Sequence, residues 1–179
     1  MDQAYIPAFI LQICMVKRLI PDFYNLTVQQ IMDRRVWDLP LIEETEDVHT
    51  VLNILGARNH IWVIKNKESK ELVGVITEHD VLSVLAPKTL PSYMFGMPDV
   101  RSIHHGTANT AQDIMCHRLI TCSKEEKIVD ILQKMTKYRL RRLPVIEEKM
   151  IIGELTLNQL IRKYYDATQF HDIMQDVEG

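Results

Sequence analysis

Two stretches of the chain carry the same hydrophobic spacing. Val48, Val51, Leu52 and Leu55 recur on one face of a 3.6-residue helix, and so do Ile128, Ile131, Leu132 and Met135. A short β-rich alternation follows each. After the first helix come "HIWVI" (His60–Ile64), the polar turn "KNKESKE" (Lys65–Glu71) and "LVGVI" (Leu72–Ile76). After the second come "LPVI" (Leu143–Ile146), "EEK" (Glu147–Lys149) and "MIIGEL" (Met150–Leu155). Helical runs then close both segments, "EHDVLSVLA" from Glu78 and "LNQLIRKYY" from Leu157. Thr45 and Ser123 are the expected starts of the two amphipathic helices, and Ser123 with Glu126 has the capping-box pattern.

The repetition extends beyond periodicity. "VQQIM" at Val28–Met32 returns 83 residues later as "AQDIM" at Ala111–Met115, and "GVIT" at Gly74–Thr77 returns 79 residues later as "GELT" at Gly153–Thr156. A β-α-β-β-α unit of about 55 residues buries only part of its surface alone. The expected fold is therefore α/β (α+β), with two such units packed by pseudo-two-fold symmetry and their sheets sharing a core. The boundaries read as an N-terminal helical extension 1–27, unit one 28–86, a linker 87–110, unit two 111–166 and a C-terminal tail 167–179. The linker holds three of the seven prolines and two of the six glycines. In the extension, Ile6, Phe9, Ile10, Ile13 and Ile20 lie near one helical stripe with Leu11 and Met15 on another side, a pattern that wants burial, as in a dimer.

At 179 residues, 46% hydrophobic and 25% charged, the chain is globular in composition, and a net charge of -3 argues against a general nucleic-acid coat. Cys14, Cys116 and Cys122 form no CxxC pair, which fits a reducing, cytoplasmic compartment. The apolar run Ala4–Val16 is shorter than the roughly 20 residues that span a bilayer and has no leading positive charge, so no membrane segment or secretory signal is expected.

The stretch "GVITEHD" carries the first candidate chemistry. Thr77 after a strand caps the next helix, with Asp80 in the first turn, and Thr156 with Gln159 has the same capping pattern. Capping explains both junctions, but it does not require the order around them: an Ile-Met start, an amphipathic helix, a strand and Gly-h-h-Thr, twice over. With "GVITEHD", "RRLPVI" and the two Ile-Met starts together, the chain resembles tandem cystathionine-β-synthase (CBS) domains, the paired module often called a Bateman module, over roughly Val28 to Tyr165.

That resemblance implies adenosine nucleotides or related adenosyl ligands bound in clefts between the two copies. It places Asp80 on the ribose diol, where an ionised carboxylate accepts charge-assisted hydrogen bonds. Thr77 and His79 stand beside it, Leu119, Ile120 and Thr121 face the base, and Arg141 and Arg142 face the phosphate, for which a guanidinium fork is well shaped. The mirror-related cleft departs from the pattern. It would be lined by Val36, Trp37, Asp38, His60, Thr156 and Gln159, with an amide where the aspartate should be and Asn59 and His60 in place of the basic pair. Trp37 is expected in the opening strand, and it and Trp62 are expected to pack in the core. One good site and one degenerate site follow.

Rival classes find less support. The six glycines are too dispersed for a P-loop or dinucleotide fingerprint, and no His-Glu-x-x-His or serine elbow occurs, so no enzyme and no catalytic cofactor is expected. His104, His105, Cys116 and His117 match no zinc spacing, so no metal is assigned. "KMTKYRLRR" (Lys134–Arg142) has five basic residues in nine, yet serves a phosphate pocket better than nucleic acid given the acidic total. The expectation is a regulatory module sensing AMP, ADP or ATP and passing its state to an effector protein or through a homodimer. The same cleft taking S-adenosylmethionine, methylthioadenosine or NADH is the nearer alternative, and a protein-interaction or nucleic-acid scaffold without a small ligand is the more distant one.

Overall fold

The computed structural model describes residues 23–85 and 108–175; the apolar N-terminal extension before Phe23, His104, His105 and most of the linker lie outside the described residues, as does the last part of the tail. The fold is mixed α+β. Repeat one runs β1 (Leu41–Glu43), α1 (Val48–Leu55), β2 (His60–Ile64), β3 (Leu72–Thr77) and α2 (Leu82–Leu85). Repeat two runs α3 (Ala111–Ile114), α4 (Ile128–Tyr138), β4 (Arg142–Glu147), β5 (Met150–Thr156) and α5 (Leu157–Gln175). β1 pairs parallel with β2 and β2 antiparallel with β3, while β4 and β5 form a second, two-stranded sheet.

The chain divides into two compact units that do not follow the repeats. The described residues of one are 23–33, 122–145 and 154–175; those of the other are 34–85, 108–121 and 146–153. The leader of each repeat has crossed to the strands of the other. In the unit built on β1–β3, Ala111–Cys116 of repeat two lies against repeat one, with Val75 and Cys116 exchanging both backbone hydrogen bonds (3.1 and 2.8 Å). In the unit containing α4, Asp33 of repeat one makes the matching exchange with Glu154 of repeat two (2.9 and 3.1 Å).

Packing explains the crossing. Gly74 has no side chain because Met115 lies on it: an added Cβ would sit 2.4 Å from the sulfur. The core around it joins Ile42, Val51, Ile61, Val63 and Ile76 to Ala111, Ile114 and Met115 of the incoming leader. A smaller cluster of Trp62, Ile64, Leu72 and Ile151 fills the other face of that sheet. In the other unit Val28, Cys122, Ile128, Ile131, Leu143, Val145, Leu155 and Leu160 are buried. Each such side chain contributes roughly 1.5–3 kcal/mol when fully removed from water.

Several local expectations are corrected. α1 is capped by Asp47, whose carboxylate accepts from the His49 amide at 2.7 Å, so Thr45 is not the cap. α4 begins after Lys127, and Ser123 instead closes a turn one step earlier, its amide donating to Glu126 Oε1 at 2.9 Å. Residues Val36–Asp38 form a 3-10 turn and the opening strand starts at Leu41. Trp37 is 81% exposed and is not core, whereas Trp62 is buried as expected.

Candidate ligand site at the strand-to-helix junctions

In the unit built on β1–β3, β3 ends at Thr77 and the chain turns before α2. The Thr77 amide (2.7 Å) and hydroxyl (2.6 Å) both donate to Asp80 Oδ2, and the Asp80 amide donates back to the Thr77 carbonyl at 3.0 Å. The turn is closed by its own carboxylate. His79 is exposed beside it. The Val75–Cys116 exchange brings the start of repeat two alongside β3, so Leu119, Ile120 and Thr121 belong to the same unit as Asp80. Leu119 packs on the Trp62 cluster, and Ile120 and Thr121 are half-buried.

The same unit holds the first-repeat residues of the degenerate set. Val36 and Asp38 are half-buried, and Asp38 Oδ1 lies 3.4 Å from Arg58 Nη2 across two exposed side chains. His60 is 5% exposed, stacked edge-on against Trp62 with ring centroids 5.2 Å apart. Its Nδ1 lies 3.3 Å from Asn59 Oδ1.

The other unit holds Arg141, Arg142, Thr156 and Gln159. Gln159 Oε1 accepts from the Thr156 amide (2.6 Å) and hydroxyl (3.1 Å), and the Gln159 amide donates to the Thr156 hydroxyl at 3.3 Å. Here β5 runs straight into α5 with no intervening turn. Arg141 is exposed, and its carbonyl accepts from the Leu157 amide at 2.8 Å. Arg142 is half-buried, its Nη1 3.4 Å from Glu154 Oε1. Glu154, only 7% exposed, is the residue that motif reading passes over. Its signal was a charge inside the apolar strand "MIIGEL", at the position where repeat one carries Val75.

Two further groups bear on chemistry. Burial, helped by the Glu126 carboxylate and opposed by Lys134, pushes the Cys122 thiol up to about 12, and its Sγ lies 3.6 Å from the Pro144 carbonyl. It is an inert core thiol, while Cys116 is exposed. Among the described residues no group of three or more His, Cys, Asp and Glu side chains is placed to hold a metal ion, and no helix is long and apolar enough to cross a membrane.

Comparison with known proteins accounts for the repeats. The CBS domain model matches residues 28–87 and again 111–166. The chain is 31% identical over 100 residues to the CBS domain-containing protein CBSX3, mitochondrial, of Arabidopsis thaliana, which covers 56% of this chain and 43% of that protein. The chain spans less than half the length of the curated relatives it matches. The crystal structure of CBSX2 in complex with AMP superposes with a TM-score of 0.63 at 21% identity, covering 78% of this chain and 97% of that one. The CBS domain pair of protein MJ0100, in complex with 5-methylthioadenosine and S-adenosyl-L-methionine, superposes with a TM-score of 0.55 at 21% identity, covering 79% and 97%. With two family matches on one chain and a fold shared with CBS pairs, this protein belongs to the CBS domain family as a tandem CBS protein.

Proposed function

We propose that the chain is a regulatory, non-catalytic module that binds one adenosine-containing ligand, with Asp80 on the ribose. The observation that carries this reading is the difference between the junctions: a carboxylate at Asp80 where repeat two has the amide of Gln159. An ionised carboxylate has about four acceptor positions, so holding the Thr77 amide and hydroxyl is compatible with accepting from a cis-diol. Thr77 and His79 flank it, and Leu119, Ile120 and Thr121 of repeat two stand in the same unit for the base. The ligands of the two superposed structures, AMP and methylthioadenosine or S-adenosylmethionine, share the adenosine that such a site would grip. The Thr156–Gln159 junction in the other unit lacks that carboxylate and holds such a ligand weakly or not at all at the same ligand concentration.

For binding to regulate, the ligand must prefer one conformational state over another, and an effector protein or a second copy of the chain reads that preference. A cytoplasmic location suits these ligands. Calorimetric titration with AMP, ATP, S-adenosylmethionine and methylthioadenosine, each repeated on Asp80→Ala, tests the reading. One ligand per chain, lost in the variant, supports it; binding that survives Asp80→Ala removes it.

A further inference from the structure

The longest helix among the described residues, α5, leaves apolar side chains in water along one side. Leu160 is buried, but Ile161 and Tyr165, one turn apart, are 56% and 60% exposed, and Tyr164 between them is 36% exposed. Apolar residues exposed singly are ordinary, whereas three on one turn form a patch suited to contact. The structure shows what reaches the edge of that patch. Phe23, itself buried, packs edge-on against Tyr164 with ring centroids 5.3 Å apart, and the described chain opens at this residue, in a helical turn over 23–25. Phe23 and α5 belong to the same compact unit.

We infer that the apolar segment preceding Phe23, residues 4–20, docks on the Ile161–Tyr165 face of α5 in its own chain. Pro21 and Asp22 alone separate Ile20 from Phe23, so the segment starts beside Tyr164 whatever course it takes afterwards. Its stripe of Ile6, Phe9, Ile10, Ile13 and Ile20 has helical spacing, and Pro21 is placed to end a helix before the turn at 23–25. The lengths agree as well. As a helix the segment spans about 25 Å, against about 28 Å for the 19 residues of α5. The short connection gives the segment an effective concentration on the order of millimolar at the patch, which a second copy at micromolar concentration does not match. Any partner that uses this face of α5 must first displace the segment.

Cys14 reports the docking, because it lies one helical turn after Ile10 on the same side of the segment. The experiment is thiol labelling of the native full chain at pH 8, read peptide by peptide in a mass spectrometer. It compares wild type with Ile161→Asp plus Tyr165→Asp and with the milder Ile161→Ser plus Tyr165→Ser. Exposed Cys116 gives the unprotected rate, and buried Cys122 reports unfolding. In wild type Cys14 should label roughly tenfold or more slowly than Cys116 at every protein concentration, and each α5 variant should speed it by about fivefold or more. If the aspartates unfold the unit, Cys122 labels too and the serine pair decides. Three results overturn the inference. They are Cys14 labelling as fast as Cys116 in wild type, protection that persists in a folded α5 variant, and protection that fades on dilution, as it does when a second copy covers the face.

Discussion

The two strand-to-helix junctions use the same threonine and reach different chemistry. At Thr77 the third residue on is an aspartate whose one oxygen takes both the amide and the hydroxyl; at Thr156 it is a glutamine whose amide oxygen does the same work. The device recurs at the leaders, with Thr27 and Gln30 (2.8 and 3.1 Å) and Thr110 and Asp113 (3.0 and 3.1 Å). Four threonines are thus closed by a side chain three residues later, twice by a carboxylate and twice by an amide. Closing the turn does not demand charge. What distinguishes Asp80 is a charge at a junction, and a function is the natural place to look for its use.

The largest expected effect bears directly on that charge. Asp80→Ala should weaken binding of the adenosyl ligand by about 2–3 kcal/mol, roughly 30- to 150-fold, in calorimetry. Asp80→Asn, which keeps an acceptor for Thr77, should lose most of the affinity with little loss of stability, and Gln159→Ala should change affinity less than about twofold. Equal losses at Asp80 and Gln159 would erase the comparison.

The next effect concerns how repeat two's leader seats on repeat one. Gly74→Ala should destabilise the protein by about 1–3 kcal/mol in urea unfolding, because the new methyl meets Met115. In Gly74→Ala combined with Met115→Ala, the two losses should not add, since the second removes the obstacle to the first. Additive losses would mean that Met115 is not what excludes a side chain.

Smaller is the effect at the hairpin tips. Glu148 and Lys149 both have positive φ (49° and 68°) between β4 and β5, a conformation that asparagine and glycine take at lower cost. Glu148→Asn with Lys149→Gly should raise stability by about 1 kcal/mol. No gain would mean that contacts of the native pair at the tip offset the backbone strain.

The smallest concerns Cys122, which stands on the parallel-strand bridge to Val145 as Ile42 stands against Val63 in repeat one. Its folded pKa lies above the ordinary thiol value of 9.0, so the neutral thiol's contribution is full below about pH 9 and is lost as pH climbs toward 12. Cys122→Val should flatten that part of the stability profile and leave neutral pH almost unchanged. In the native protein Cys116 should react with a thiol reagent at pH 8 while Cys122 stays protected until unfolding.

The sequence by itself determined the elements and their repetition, because helical and strand periods are local and the anchors "VQQIM", "AQDIM", "GVIT" and "GELT" mark the same places twice. It also pointed to the threonine turns, since a cap involves residues three apart. Helix starts were displaced where a second acceptor competed, as Asp47 did with Thr45, and Trp37 could not be told from Trp62 because hydrophobicity does not reveal which face a short turn presents. Only the tertiary structure decided that each leader pairs with the other repeat's strand, and so that a buried Glu154 meets Arg142 where repeat one keeps Val75. Those pairings join residues far apart along the chain, and no local pattern records which of two similar strands a leader will choose.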